Sequence, residues 1–598
     1  MGKAKGIFPG RVSWVYSPET VTFQGEGNWW DDSYVDQVGV NKMLDAAIID
    51  LTGSENIRTA WDSVFIYHNR QKEKESLQYV RGEKIAVKLN LNNSATHTYK
   101  GKGLIASPQV VYSLCKSLVQ YGVPDTCIVL YDITRAIPDL IFNRVKSDYP
   151  GVLFVDNLGG NGRIKFTTDF SVPIEWSENL IIEQGGGNPT YLPTCVTGAE
   201  YMINLGALKG HTLAGITICA KNHIGSFYSY SEEIPSHSYP KAAGIHPYIV
   251  VHDYHVNTYW NFDMRPMGSY NCLVDLMGHV HLGGKTMLYL VDALYASTQQ
   301  GGSLISGGWL SKPFRGQWTS SMLVSFDGVA IESVGLDLLS SEPSMTEVYG
   351  NVDNFLHEAA LAQEPPSGVL YEPSGTNAPL GSLGVHEHWN NAVDKKYSRN
   401  LGTGEGIELS ALKISGPDLT VPASLLIVED PENDHINIEW EDVCTIEDYY
   451  LVEKAQDFNG PFTVIAILPE NTIHYADSTA GTGTLYYRLR TKDVFGYSGY
   501  SEITSILKLA IHKPAAGNAG IKVYPVPASI RLIVTIQDPT EKQVKLNMYT
   551  LDGKLLIHKI VEPMAKAAEI NVSGLADGNY ILRRIDSGES IKVSILKE

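Results

Sequence analysis

Apolar positions form two kinds of pattern along this chain. Up to about residue 415, short apolar runs such as 84–91 and 127–132 alternate with stretches of helical periodicity such as 110–121. Strands that alternate with helices predict βαβ units and a parallel sheet. From about residue 418 the pattern changes to short alternating strands without helical periodicity. We therefore expect an α/β N-terminal region with a mostly parallel sheet, followed by two small all-β sandwich domains.

The same pattern predicts the domain boundaries. The α/β region covers residues 1–415 and contains the candidate active site. One β-sandwich covers 418–510, a linker of small residues covers 511–520, and a second sandwich covers 521–598.

Composition excludes several classes of protein. The chain has 47 basic and 66 acidic residues and a formal net charge of −19, so nucleic acid and anionic lipid should repel it. It has no apolar run of about eighteen residues, so no transmembrane segment is expected. The six cysteines include no CxxC pair, which argues against a zinc ribbon, an iron–sulfur cluster or a dense disulfide framework. A single disulfide stays open.

The first small domain resembles a fibronectin type III module. Trp440 lies on an early strand, and the run 485–490 precedes 493–498 as in that family. The resemblance implies a spacer or a docking surface and no catalysis.

The C-terminal residues resemble the sorting domain of the type IX secretion system of Bacteroidetes. Tyr524-Pro525-Val526-Pro527 is followed in order by 548–554 and by 572–582. The resemblance implies a protein that is secreted or held at the cell surface, with the type IX machinery as a partner. The first residues lack the apolar core of a signal peptide, so either the protein is cytosolic or its leader is missing from this sequence. The sorting domain favours the second explanation.

Histidine is concentrated in one stretch of the α/β region. Eight of the 17 histidines lie between residues 211 and 281, far more than an even distribution would place there. Imidazole is the usual acid–base group near neutral pH and a common metal ligand. A functional site is therefore expected here, although any single histidine could be a surface or core residue. The eight are His211, His223, His237, His246, His252, His255, His279 and His281.

The segment 206–225 is the most informative part of this stretch. Gly210, Gly215 and Gly225 leave little bulk between its polar side chains. Such a loop lets the backbone approach a ligand closely and present N–H groups to an anion. The candidate catalytic residues are His211, Lys221 and His223, and the candidate metal ligands are His237 and His211.

A second candidate group lies where an apolar strand ends in Asp132-x-Thr134-Arg135. The carboxyl ends of parallel strands are where ligands bind in α/β sheets. Arg135 could bind a phosphate or carboxylate through its guanidinium, with Thr134 and Asp132 as hydrogen-bond partners. The alternative is a salt bridge and a helix cap at the strand end. Lys88, in another run that ends in amides, is either solvated or a further ligand-binding residue.

The N-terminal two thirds resemble the domain-of-unknown-function family numbered 362. The likeness runs from 6–12 to 397–402 and includes 82–88, 209–225 and 327–332. The resemblance implies the fold and no particular reaction.

The candidate residues also resemble the site of lactate racemase, through Asp132-x-Thr134-Arg135 and the spacing His211…Lys221…His237. The resemblance implies a nickel-pincer nucleotide held by the Asp-x-Thr-Arg segment. His211 would transfer protons, Lys221 would bond to the pyridinium, and His237 would bind nickel. The reaction would be reversible hydride removal from a hydroxyl-bearing carbon. Cys219-Ala220 replaces the usual glycine pair, and His223 is the nearest candidate for a second catalytic histidine.

Two other functions stay open. A metal-assisted hydrolase or lyase acting on extracellular glycan would hold a divalent ion with histidines and Asp132, Asp253 or Asp275. Pairs of the form HxH occur at His279/His281 and at His386/His388. The third function is a non-catalytic, glycan-binding surface protein, which the ten tryptophans and 33 tyrosines would suit.

Overall fold

A computed structural model describes the chain apart from a few short segments. The described residues are 1–178, 190–229, 245–256, 261–302, 304, 308–430, 433–508, 520–537 and 539–597. They form two compact units. The first comprises Met1–Leu419, Ile446–Asp448 and Lys492–Ser498, and the second comprises Thr420–Thr445, Tyr449–Thr491 and Gly499–Glu598. Residues 511–519 of the predicted linker lie outside the described residues, and the predicted domain boundaries stay predictions.

The first unit contains a ten-stranded sheet. Its strands are β1 (Arg11–Tyr16), β2 (Ile85–Lys88), β3 (Ile128–Asp132), β4 (Leu153–Asp156), β5 (Ile164–Lys165), β8 (Tyr201–His211), β9 (Gly215–Thr217), β13 (Thr286–Ser297), β14 (Ser321–Ser325) and β15 (Glu408–Lys413). The order is β15-β1-β14-β13-β8-β2-β3-β4-β5, and β9 pairs with β8. The pairs of β8 with β13 and β2, and those along β2-β3-β4-β5, are parallel. This confirms the predicted, mostly parallel α/β sheet.

Short strands and helices surround this sheet. The further strands are β6 (Thr168–Pro173), β7 (Thr190–Pro193), β10 (Tyr228–Ser229), β11 (Tyr254–His255) and β12 (Asn261–Phe262). The helices are α1 (Gln37–Thr52), α2 (Ile57–Gln71), α3 (Pro108–Tyr121), α4 (Asp139–Asp148), α5 (Thr194–Thr197), α6 (Cys272–Gly278), α7 (Gly328–Ser340), α8 (Asn354–Ala360) and α9 (Ser398–Leu401).

Both faces of the sheet are buried, which explains why its strands are apolar runs and do not alternate with polar residues. On β3, Ile128 and Leu130 pack into one core, whereas Val129 and Tyr131 pack into the other. Helix α7 is buried along nearly its whole length. Asp327 caps its N-terminus by accepting from the N–H groups of residues 329 and 330.

The second unit contains only antiparallel sheets among its described residues. Its strands are β16 (Ala423–Asp430), β17 (His435–Glu441), β18 (Tyr449–Ala455), β19 (Thr463–Pro469), β20 (His474–Asp477), β21 (Gly483–Lys492, whose last residue belongs to the first unit), β22 (Thr504–Lys508), β23 (Ile521–Tyr524), β24 (Arg531–Ile536), β25 (Val544–Thr550), β26 (Leu555–Val561), β27 (Ala567–Asn571), β28 (Gly578–Arg584) and β29 (Ser590–Ile595).

These strands form two pairs of sheets. The first pair is β16-β17-β20 and β19-β18-β21-β22, and the second is β23-β24-β27 and β26-β25-β28-β29. Each pair encloses its own hydrophobic core, with Ile438 and Tyr487 in the first and Val534 and Leu582 in the second. The two predicted all-β domains are therefore confirmed as folds.

Two further expectations concern membranes and disulfides. No helix among the described residues has the length and apolar composition needed to cross a bilayer. All six cysteines are described, and all are free thiols, so the disulfide that the sequence left open does not form in this structure.

Candidate active site

The carboxyl ends of the parallel strands gather polar side chains at one edge of the sheet. Strand β2 ends at Lys88, β3 at Asp132, β4 at Asp156 and β8 at His211. Because these strands are parallel, β2, β3 and β4 end at the same edge, and β8 continues past this edge from Asn204, the partner of Lys88, to His211. The structure thus brings together the two groups that the sequence analysis singled out separately.

A buried ion pair joins two of the predicted residues. Nζ of Lys88 lies 2.9 Å from Oδ2 of Asp132, and both side chains are almost inaccessible to solvent. The same Nζ donates to the carbonyl of Leu89 at 2.6 Å and to Oδ1 of Asn222 at 3.2 Å. Burial lowers the pKa of Lys88, and the charge of Asp132 opposes that shift. Lys88 is therefore neither solvated nor directed into open space.

Asp132 also organises the turn that follows β3. Its Oδ1 accepts from the N–H of Thr134 at 2.9 Å, the hydroxyl of Thr134 at 2.9 Å and the N–H of Arg135 at 3.1 Å. Arg135 in turn donates to the carbonyl of Asn92 at 2.8 Å and to its Oδ1 at 3.2 Å. The salt bridge that the sequence offered as an alternative is present, but the turn caps no helix, because the next helix begins at Asp139. The hydrogen bonds of this turn fix where the backbone of Arg135 lies.

A 3₁₀ turn, Lys221–Ser226, packs directly on the ion pair. The carbonyl of Gly225 accepts from the N–H of Ile133 at 3.1 Å. A Cβ atom at Gly225 would lie 2.7 Å from Nζ of Lys88 and 2.9 Å from Oδ2 of Asp132. Glycine is therefore required for close packing, as the glycine spacing of this loop suggested.

Buried amides connect this turn to β8. Nδ2 of Asn222 donates to Oδ1 of Asn204 at 2.8 Å, and Nδ2 of Asn204 lies 3.0 Å from Nε2 of His223. Since Asn204 is the donor in that contact, Nε2 of His223 accepts and Nδ1 has the proton. Nδ1 is buried and has no hydrogen-bond partner within the described part of the chain. Burial lowers the pKa of His223 to about 3, so the ring is neutral.

His211, the last residue of β8, is also buried and neutral. Its Nδ1 accepts from the N–H groups of Leu213 at 3.0 Å and Ala214 at 3.2 Å, so the proton resides on Nε2. Burial lowers the pKa of His211 well below its usual value, and the charges of Lys221 and Lys209 lower it further.

Several cations interact with one another at this edge. Burial lowers the pKa of Lys221 to about 8, and the Arg135 guanidinium contributes to the shift. The amine of Lys221 has no hydrogen-bond or ion-pair partner among the residues that the structure describes. Lys221 and Arg135 lie on the same side of the molecule, because Asn222 contacts Lys88 while Asp132, the partner of Lys88, holds the N–H of Arg135. We call Lys88, Arg135, Lys209 and Lys221 the cation cluster.

Lys209 belongs to this cluster although the sequence analysis did not select it. It is fully buried in β8, and its Nζ donates to the carbonyl of Leu104 at 3.1 Å. Burial lowers the pKa of Lys209 to about 7, and Lys221, Lys88 and Arg135 contribute, while Asp292 opposes them. A lysine inside a strand that is otherwise buried and apolar was the available signal.

Glu332 is a second residue that the sequence analysis missed. This buried residue of α7 accepts from the N–H groups of Cys219 at 2.5 Å and Ala220 at 2.7 Å. Burial raises the pKa of Glu332 to about 7, and the two N–H groups oppose that shift. Glu332 therefore positions the backbone immediately before Lys221.

The remaining predicted histidines do not form a single site. His237 lies outside the described residues. His252 stacks on Tyr349, and His255 bonds to Asn261. Two groups of described residues have the spacing of metal ligands: Asp353, His357 and His386, and Asp253, His255 and Asp263. Neither group includes His211, Asp132 or Asp275. Among the described residues, therefore, no second metal ligand lies beside His211.

Substituting Gly225 should disrupt the ion pair. In Gly225→Ala the new methyl group meets Lys88 and Asp132, which are too buried to move aside, and breaking a buried pair costs about 3 kcal/mol. We expect the midpoint of denaturant unfolding to fall accordingly. The control is Gly381→Ala, where a Cβ has open space. If the two variants were equally stable, Gly225 would not pack closely on the ion pair and the prediction would be wrong.

Lys209 should destabilise the fold in a pH-dependent way. Its pKa is about 7 when folded and about 10.5 when unfolded, so the unfolded state binds more protons between these values and stability rises with pH across this window. Lys209→Met should therefore be about 3 kcal/mol more stable than the natural protein at pH 7, with a smaller difference at pH 10. Asn93 still bonds the carbonyl of Leu104 in this variant.

Denaturant unfolding at several pH values measures this difference. Lys42→Met replaces an exposed lysine and should show no such pH dependence. If Lys209→Met is less stable than the natural protein, the buried lysine stabilises the fold and the prediction is wrong.

Comparison with known proteins gives two matches to family models. Residues 172–337 match the model described as Domain of unknown function (DUF362), and residues 522–598 match the Secretion system C-terminal sorting domain. A search of curated proteins found no match, and the resemblance to lactate racemase stays a prediction.

Among solved structures, similar chains are fibronectin type III proteins. An Fn3-like protein from Clostridium thermocellum is 22% identical, with 16% of this chain and 99% of that chain covered and a TM-score of 0.14. A two-domain fibronectin type III segment of chicken tenascin is 14% identical, with 30% and 99% covered and a TM-score of 0.15. The family matches alone show that this chain contains a DUF362 domain at residues 172–337 and a secretion system sorting domain at residues 522–598, and the sorting domain implies secretion or attachment to the cell surface.

Proposed function

We propose that the α/β unit binds a small anionic substrate at the cation cluster and inverts a hydroxyl-bearing carbon of that substrate. The observation that supports this proposal most strongly is the position of Lys209. A fully buried lysine with one neutral hydrogen-bond acceptor is costly to the fold. Residues that destabilise a protein are retained where function needs them.

The charges of the cluster favour an anion. Lys88 is neutralised by Asp132, whereas Lys209 is surrounded by the charges of Lys221, Lys88 and Arg135, which the carboxyl group of Asp292 opposes. Burial raises the pKa of Asp292, which weakens its negative charge. A carboxylate or phosphate would offset the mutual repulsion of these cations in a medium of low dielectric constant.

An open cavity of about 400 Å³ is connected to this cluster through Asn93, one of its lining residues. It is lined by Asn93, Thr96, Tyr99 and Lys100, among others. Nδ2 of Asn93 donates to the carbonyl of Leu104, which also accepts from Lys209. A ligand in this cavity would thus lie one side chain away from the buried lysine.

Lys221 and His211 supply the proposed proton transfer. With a pKa of about 8, about a tenth of the Lys221 amines are neutral at pH 7 and can act as a base. The amine accepts the proton of the hydroxyl-bearing carbon, and the electron pair of that C–H bond moves into the adjacent carboxylate. Arg135 and Lys209 offset the added negative charge. The Lys221 ammonium then returns the proton to the opposite face after the planar intermediate has turned over in the site, which inverts the carbon, while Nε2–H of His211 donates to the hydroxyl oxygen.

A nickel-pincer nucleotide is the second candidate for this site. The unpartnered amine of Lys221 suits a covalent anchor, and the cation cluster suits a nucleotide phosphate. When bound, this cofactor accepts hydride from a hydroxyl-bearing carbon. The residues that would hold it are Lys221 and Arg135, whereas the proposed nickel ligand His237 lies outside the described residues.

Anion binding is the first test of the proposal. We expect phosphate and lactate to bind the full chain in calorimetric titrations, and the neutral amide of lactate not to bind. Affinity should fall as pH rises from 7 to 9, because Lys209 and Lys221 lose their protons there. Lys209→Met and Lys221→Met should each weaken binding at least about tenfold, whereas Lys42→Met should not. If neither anion binds, the proposed function is wrong.

Isotope exchange distinguishes the two chemical routes. In D₂O, proton transfer through Lys221 should exchange the carbon-bound hydrogen of a 2-hydroxy carboxylate such as lactate or malate, as measured by NMR. Lys221→Met should abolish this exchange. Inversion with retention of that hydrogen, together with a pyridinium absorbance in the natively secreted protein, would favour the cofactor route. Chelator-sensitive cleavage of glycan would instead support a hydrolase, and glycan binding without turnover would support a surface receptor.

A further inference from the structure

A second cluster of titratable side chains lies apart from the cation cluster, where α7, α8 and the segment 385–389 meet. Asp353, His357 and His386 present donor atoms that all lie within 4.8 Å of one another. His388 adjoins them, with its Nε2 3.7 Å from Oδ2 of Asp353. We call these four residues the histidine cluster, and we propose that it binds a divalent transition-metal ion through three imidazoles and one carboxylate.

The distances within the cluster suit donors that share one ion. Nε2 of His357 lies 3.2 Å from Oδ2 of Asp353, and the ring centres of His386 are 4.7 Å from His357 and 5.0 Å from His388. Ligands held at about 2.1 Å in a tetrahedral site lie about 3.4 Å apart. Shifts of a few tenths of an ångström to about one ångström would therefore bring these donors onto one ion.

The outer hydrogen bonds orient two of the imidazoles. Nδ1 of His386 lies 2.9 Å from the hydroxyl of Ser333, and Nδ1 of His388 lies 2.6 Å from Oδ1 of Asp337. Nε2 of His388 faces Asp353 of the cluster, and the second nitrogen of His386 is left available as a metal ligand. An imidazole whose second nitrogen bonds to a carboxylate or another acceptor is the usual arrangement around a protein-bound metal.

The chemistry of the donors selects the class of ion. Imidazoles with a carboxylate favour first-row transition metals such as zinc, cobalt or nickel over calcium and magnesium, which prefer oxygen ligands. The carboxylates of Asp353 and Asp337 balance two positive charges. An ion from solvent can reach the cluster past His388, whose side chain is 49% exposed. His386, by contrast, is buried.

Metal titration of the tag-free full chain tests this site. After treatment with a chelator, the protein should bind one equivalent of Co²⁺ with a visible ligand-field band, and Zn²⁺ should displace it. Excess Ca²⁺ should not compete. Asp353→Asn and His357→Gln should weaken Zn²⁺ binding at least about 100-fold, and Asp337→Asn about 10-fold, through loss of an outer hydrogen bond.

The second group of potential ligands supplies the matched control. His255 lies with Asp253 and Asp263 in a group that is exposed throughout, and His255→Gln should leave the affinity unchanged. His388→Gln changes an exposed side chain and can be used if another variant fails to fold. If the chelator-treated protein binds no Co²⁺, or if only His255→Gln weakens binding, the cluster is an ion-paired network and the proposed metal site is wrong.

Discussion

The first unit depends on one constraint, which is that neighbouring parallel strands must end at the same edge of the sheet. Lys88 and Asp132 are the last residues of adjacent strands, and their buried ion pair is a direct consequence of that geometry. Neither charge could be buried alone without a large cost in free energy. The pair in turn defines the surface on which the 221–226 turn packs, and Gly225 is the residue that allows the contact.

The turn then brings further polar groups into the interior. Asn222 bonds both to Lys88 and to Asn204, and Asn204 bonds to His223. This chain of amides connects the ion pair to β8 and satisfies groups that would otherwise be costly to bury. Lys209 is different, because one carbonyl is its only hydrogen-bond acceptor in the described part of the chain and its charged neighbours are mostly cations. The ion pair and the amides therefore stabilise the edge of the sheet, whereas Lys209 does not.

The sequence predicted the architecture well and the site in part. Both faces of the sheet are buried, so its strands are conspicuous apolar runs, and the strands of the second unit alternate as expected. Arg135 follows the parallel strand β3, whereas Lys221 follows β9, which is antiparallel to β8, so strand order alone does not predict that the two residues meet. Lys209 and Glu332 were not selected, since their neighbours in sequence are apolar and only the tertiary packing shows what they contact. Of the eight clustered histidines, His211 and His223 lie in the candidate site, whereas His252 and His255 contact other residues, so the density of histidines alone did not show which rings belong to it.

Helix α7 connects features that are far apart in the sequence. Through Glu332 it fixes the backbone before Lys221, and through Ser333 and Asp337 it orients His386 and His388. These residues lie within about one and a half turns of the same helix, whose interior position leaves it little freedom to rotate. A shift of α7 that improved the contacts of one cluster would move the supporting residues of the other. One helix thus contributes supporting residues to both clusters, although the two clusters share no ligand.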